Sequence, residues 1–282
     1  ETRSMGALVW RRFKRHRLAM ISVGVILIIS AACAAAPLLA GYEFDAIDLG
    51  AIRAAPSMKH WMGTDDLGRD VFTRVLYGGR VSILIGILSA VIGTGLGSLV
   101  GSAAGYYGGR TDNVLMRLTD VAYSIPTLPL LIVLASYSQA AVTYMALIIG
   151  LLSWMATARV VRGEVLSIKQ MAYVEAARSL GASNIRIILR HVLPNAVGPI
   201  VVGATLAVGN AIIVESSLSF LGLGVQPPTP TWGNLLQDAR STMATRPWLT
   251  IFPGVAILLV VLSVNFIGDG LQDAVDPTAR DQ

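Results

Sequence analysis

The chain is poor in charge. Of its 282 residues, 14% are Asp, Glu, Lys or Arg and 54% are hydrophobic, where a soluble domain carries roughly a quarter charged residues. That shortage excludes an ordinary soluble domain and points to a membrane protein. Lysine is scarcer still: Lys14, Lys59 and Lys169 are the only three, and none follows a glycine. A phosphate-cradling loop requires a Gly-Lys pair, so the chain is not itself an ATPase. Cys33 is the sole cysteine and sits in an apolar run, which excludes an intramolecular disulfide and a cysteine-based zinc site. His16, His60 and His191 are far apart and form no HExxH pattern, so no metal site is expected. No Ser/His pair or paired aspartate occurs within an apolar run, so no catalytic residue is expected either.

What the chain does have is long apolar runs. No charge occurs between Arg17 and Glu43, enough for one crossing of a hydrocarbon core about 30 Å thick. Further runs predict spans near 80–107, 119–138, 144–160, 195–222 and 249–268, with the first near 18–40. Six spans make an all-α polytopic fold: a basic arm at 1–17, a transmembrane domain at 18–270, and a tail at 271–282. Pro126 and Pro129 should kink the third span or delay its start. The chain opens on Glu1 rather than methionine, so natural sequence is expected upstream.

Two polar segments, 41–79 and 223–248, lie on one side of such a fold. The first contains Gly63-Thr64-Asp65-Asp66-Leu67-Gly68-Arg69-Asp70-Val71-Phe72. Thr64 and the aspartates suit a helix start, so an interfacial lead-in helix is expected, in preference to a cation site. On the other side, the N-terminal arm, residues 108–118, the central loop 161–194 with Arg159 just ahead of it, and the tail together hold fifteen of the 22 Lys and Arg residues. Cationic loops stay on the cytoplasmic side, so both termini and the central loop are expected there. Topology and anionic lipid at the basic arm account for the net charge of +5, and no nucleic-acid partner is needed.

Within the spans, Gly93, Gly97, Gly101 and Gly105 recur every four residues, a stripe that lets another helix approach closely. Gly93-Thr94-Gly95-Leu96-Gly97 lacks the βαβ context of a nucleotide-binding loop. Asn210 and Glu215 fall inside the fifth span. A charge at membrane depth must face protein or water. Glu215 therefore either contacts a translocation pathway or second subunit, or is paired near the span's end or held protonated.

The central loop is the most informative stretch. Ala172, Ala176, Ala177 and Leu180 recur at helical spacing, and the pattern stops at Gly181, the residue suited to a positive-φ helix end. Ser183 can cap a second helix with Ile185, Ile188, Leu189 and Val192 on one face, and Pro194 suits the first turn of the span that follows. Glu175, Arg178, Arg186 and Arg190 are its charges. By residues alone this is a helix, a glycine bend and a second amphipathic helix, serving as a plain connector or as a docking element.

Glu175-Ala176-Ala177, then Gly181, then Leu193-Pro194 resemble the EAA loop of binding-protein-dependent ABC importer permeases; His191 departs from the aliphatic residue common at its position. The motif GTDxxGRDxFxR at 63–74 and the stretch Gly268–Pro277 resemble signatures of the dipeptide/oligopeptide/nickel class, C-type subunit. The resemblance implies a type I importer permease in the bacterial inner membrane. It implies a coupling helix, with Ala172, Glu175, Ala176, Ala177, Arg178, Leu180 and Gly181 as its ATPase-coupling residues. The implied partners are a homologous second permease forming a heterodimer, two ATP-binding subunits that carry ATP and Mg, and an extracytoplasmic substrate-binding protein. Peptides are the implied solute, with nickel, glutathione or another small solute as alternatives. A stand-alone secondary carrier would show several buried ionisable groups or inverted repeats, and neither is apparent.

Overall fold

The computed structural model describes residues 5–137 and 141–275, and every regular element among them is helical. Helix α1 (Met5–Phe13) leads into α2 (Arg17–Ala34), whose first turn is capped by the His16 ring accepting from the Ala19 N–H at 3.1 Å. A short α3 (Ala36–Leu39) follows. Irregular chain then runs to α4 (Val71–Tyr107), which is 37 residues long. The separate lead-in helix expected ahead of residue 80 does not exist, because α4 is continuous from its Asp70 cap, whose carboxylate accepts from the Thr73 N–H at 2.8 Å. Thr64 does not begin a helix. Its hydroxyl accepts from the Ala54 N–H and donates to the Ala51 carbonyl, pinning the loop.

Helices α5 (Gly109–Ser124) and α6 (Thr127–Ser136) form a pair bent by 76°. The break falls at Ile125 and Pro126: the proline has no N–H to give, and it holds the preceding residue extended, at ψ 124°. Pro129 is absorbed in the first turn of α6. A second pair, α7 (Val142–Leu151) and α8 (Trp154–Ile168), is bent by 45° without any proline. There the Ser153 N–H and hydroxyl both donate to the Gly150 carbonyl, at 3.2 and 3.0 Å. The fourth span expected at 144–160 is thus two pieces.

The central loop holds α9 (Ala172–Ser179) and α10 (Asn184–Ile187), and α10 passes through a π-helical turn (Ile188–Val192) into α11 (Leu193–Phe220). Pro194 falls in the first turn of α11, as expected, although the π-helical turn leads into that helix without a break. The wider turn accommodates a proline, which would otherwise clash in a regular α-helix. Ser183 occupies the cap position of α10, but its side chain makes no capping bond. Helix α12 (Trp232–Ala239) lies in the second polar segment, and α13 (Trp248–Val275) ends the described chain. Asp276 and Pro277 of the tail motif, and residues 276–282 generally, lie outside the described residues. Four continuous helical stretches are long and apolar enough to cross a membrane; counting each bent pair as one span gives six.

Helix α4 is the spine. All four stripe glycines face the α7–α8 pair, and a Cβ at Gly101 would fall 2.4 Å from the Ala158 carbonyl oxygen. Close backbone approach replaces the hydrophobic drive that lipid removes. The opposite end of α4 packs Val71 and Val75 with Trp232, Leu249 and Val260. Near its C-terminus, Tyr106 joins Val161, Val165, Val174, Ile187 and Val192 in a separate apolar cluster.

Candidate functional site

At the elbow, α9 ends as the sequence suggests: Gly181 has φ +78°, its N–H donates to the Arg178 carbonyl, and the Ala182 N–H donates back to Ala177 at 3.1 Å. These two bonds form a Schellman motif, which reverses the chain only through a left-handed residue. The buried face of the elbow lies away from the stripe of Ala172, Ala176 and Leu180. Val174 and Ile187 are fully buried against α8 and α4, with Val192 beside them. Ala172, Ala176 and Leu180 stay exposed, as do Ile185 and Leu189. Leu180 is 88% exposed, so this apolar surface is left uncovered by the chain itself. Glu175 is exposed and has no ion-pair partner among the described residues. The Arg178 guanidinium lies over the Tyr106 ring at 5.8 Å, and the Tyr106 hydroxyl donates to Asn184 Oδ1 at 3.0 Å. Lys169 donates to the Gly105 carbonyl at 2.8 Å, at the negative end of the α4 dipole. Sequence periodicity did not find this clamp, because its hydrogen-bonded partners lie 64 and 78 residues apart.

At the other end of α4, the two polar segments close on one another. Asp65 accepts from Arg69 at 2.7 Å and from the fully buried Arg74, and both arginines also reach Asp238 on α12, Arg74 at 3.1 Å. His60 and Asp70 are bonded at 2.9 Å, both buried. Asp66 is chelated by Arg53, and that hydrogen bond holds its carboxyl below the ordinary aspartate range. The aspartates of the 63–74 motif are therefore taken up by arginines, a histidine and a helix N-terminus. The Trp232 indole donates to the Val75 carbonyl at 2.9 Å, and its backbone N–H donates to Ser82 Oγ at 3.2 Å.

Glu215 sits at the heart of this junction. It is completely buried and accepts from Ser82 at 3.1 Å and from Ser219 at 2.7 Å. Thr231, which caps α12, lies 3.5 Å from the Ser219 hydroxyl. Glu215 is enclosed by α4, α11 and the start of α12. Asn210, with Asn265, faces a cleft of about 800 Å³ lined by α5, α6, α7, α8, α11 and α13, including Tyr123, Pro126, Met155 and Pro199, and Glu215 is not part of that lining. No charged side chain lines it. Asn265 drew no attention as a partner for Asn210 in the sequence, because the two amides lie on different spans.

These helices and their connections match known proteins. The family model described as the binding-protein-dependent transport system inner membrane component matches residues 93–281, two thirds of the chain. The chain belongs to that family. A second model, the N-terminal transmembrane domain of oligopeptide transport permease C, matches residues 4–56 of the permease. A candidate peptide permease protein of Brucella suis biovar 1 is 43% identical over 95% of this chain and 90% of its own length. The glutathione transport system permease protein GsiD of Pectobacterium atrosepticum is 42% identical over 96% of this chain and 90% of its own. The permease fold also resembles a chain of the MetNI methionine ABC transporter, solved in inward-facing conformations. The TM-score is 0.56 at 20% identity, over 72% of this chain and 96% of that one. The molecule is a multi-pass, non-catalytic permease subunit of an ABC importer with the type I fold, and a system of this kind includes an ATPase and a binding protein.

Proposed function

We propose that this permease carries short peptides handed to it by an extracytoplasmic binding protein, and that α9 transmits the work of two ATP-hydrolysing subunits to the spans. The observation that carries the reading is the near full-length likeness to relatives named for peptide and for glutathione transport, since glutathione is itself a tripeptide. The cleft supports it: an uncharged passage with two exposed amides, Asn210 and Asn265, offers hydrogen bonds to a peptide backbone without trapping a charged side chain. Asn210 belongs in the pathway. Glu215 stands behind it, holding α12 against α4 and α11.

For coupling, the exposed apolar surface of Leu180, Ile185 and Leu189, with Ala172, Glu175, Ala176, Ala177 and Arg178 on α9, meets the ATPase, and Gly181 sets the angle between α9 and α10. ATP and Mg bind the partner subunits, because this chain has no Gly-Lys loop. A homologous second permease completes the pathway as a heterodimer. Both termini and the elbow are cytoplasmic, in line with the distribution of Lys and Arg.

The test is reconstitution of the whole importer in liposomes, with labelled dipeptide, oligopeptide and glutathione offered in turn. Uptake should require both the binding protein and ATP, and one of the three peptides should outcompete the others. Uptake by the permease alone, or transport of none of the three, would overturn the reading.

A further inference from the structure

A second cleft, of about 460 Å³, opens beside the elbow, between the C-terminal end of α4, the end of α8 and the α9–α10 bend. Its lining is Tyr106, Tyr107, Lys169, Gln170, Arg178 and Asn184. Each of these side chains carries an N–H or O–H donor. No carboxylate and no aliphatic side chain is among them. We propose that this cleft binds a phosphate-bearing anion.

The donors are already aimed. The Tyr106 hydroxyl donates to Asn184 Oδ1, which fixes that amide so that its NH₂ group remains to donate. Lys169 uses one of its three N–H bonds on the Gly105 carbonyl. Arg178 spends none of its N–H bonds on a carboxylate: it rests on the Tyr106 ring, and among the described residues neither it nor Lys169 has an acidic oxygen within ion-pair distance. The nearby Asp112 is held by Arg162 at 2.6 Å and is not available. Two cations facing one opening repel each other unless an anion lies between them, and guanidinium and ammonium groups together match a phosphate, the first as a fork and the second as a point charge. The site also lies at the end of a 37-residue helix long and apolar enough to cross a membrane, the depth at which basic pockets take anionic headgroups. An anion here would tie α9 to α4 and stiffen the elbow.

Two sources supply this chemistry, a phospholipid headgroup and free phosphate. The experiment purifies the assembled importer, reconstitutes it in nanodiscs of neutral lipid doped with labelled phosphatidylglycerol, and measures retained label by native mass spectrometry and by titration. The double variant Lys169→Gln/Arg178→Gln is compared with Arg186→Gln/Arg190→Gln, which removes two positive charges from the same loop outside the cleft. A melting temperature of every variant permease within a few degrees of the unaltered one checks folding, and Arg178→Lys, which keeps the charge but loses the fork, should bind at an intermediate level. Losing both cleft cations should weaken binding roughly thirtyfold, while the control pair changes it little. Label that resists inorganic phosphate identifies a headgroup. Label displaced by inorganic phosphate identifies the free anion, and either result supports the site. Equal loss in both double variants would show a diffuse basic surface and overturn it, as would no phosphate-sensitive or lipid binding in the unaltered importer.

Discussion

The two ends of α4 are built by opposite rules. Where α4 begins, polar groups are buried and bonded within the chain: Arg74 with Asp65 and Asp238, His60 with Asp70, Glu215 with Ser82 and Ser219. Where it ends, the elbow buries only a thin apolar ridge, Val174, Ile187 and Val192, and leaves Leu180, Ile185 and Leu189 bare. One end is finished by its own residues. The other displays apolar surface of the kind that marks an interaction site. The contrast teaches that a subunit of a larger machine can be rigid at one end of a single helix and incomplete at the other.

The sharpest break of that contrast comes at the finished end. Trp232→Ala removes a fully buried indole and its bond to the Val75 carbonyl, and should cost about 3–5 kcal/mol, read as a lowered melting temperature of the purified chain. Towards the far end of the spine, Gly101→Val would place atoms against the Ala158 carbonyl and should cost about 1–3 kcal/mol by overpacking; a helix–helix crosslink between α4 and α8 would report the separation. At the unfinished end, Leu180→Ser should change the chain's own stability by no more than about 0.5 kcal/mol while reducing ATPase copurification. A melting temperature that falls as far as that of the Trp232 variant would erase the distinction between the ends.

The smallest effect expected is one of pH. Asp66 is held below its ordinary range by Arg53, so the pair stabilises the loop ahead of α4 above the unfolded aspartate pKa, and that contribution is lost as pH falls through the lower folded value. Both side chains are well exposed, so salt and solvent screening keep the effect small. Asp66→Asn should flatten the acid limb of the melting curve below about pH 4, and an unchanged limb would remove the pair from the account.

Much of this was legible in the residues. Gly181 announced its turn, because a left-handed position after a helical run has few other occupants, and Pro126 announced its break through a missing N–H. The glycine stripe showed its spacing but not its neighbour. The bend at Leu152 and Ser153 left no signal, since no proline marks it. The lead-in helix was misread because Thr64 and the aspartates resemble a cap, whereas the loop consumes them in hydrogen bonds and only Asp70 is left to start α4. Glu215 was visible as an oddity, but its partners Ser82 and Ser219 are unremarkable residues until the fold brings α4 and α11 together.

The sequence by itself determined that the chain is a membrane protein built of apolar spans, where its polar elbow falls, and that it carries no nucleotide-cradling loop. These are sums over local composition and single backbone requirements, and they need no knowledge of neighbours. Tertiary structure alone decided that Val174 rather than Leu180 turns inward, that Glu215 is enclosed while Asn210 lines the cleft, and that α4 runs unbroken from Val71 to Tyr107. The physical reason is that a span which is apolar on every side has no periodic contrast to say which face meets protein. That choice is made by shape and by hydrogen bonds to residues far away in the chain.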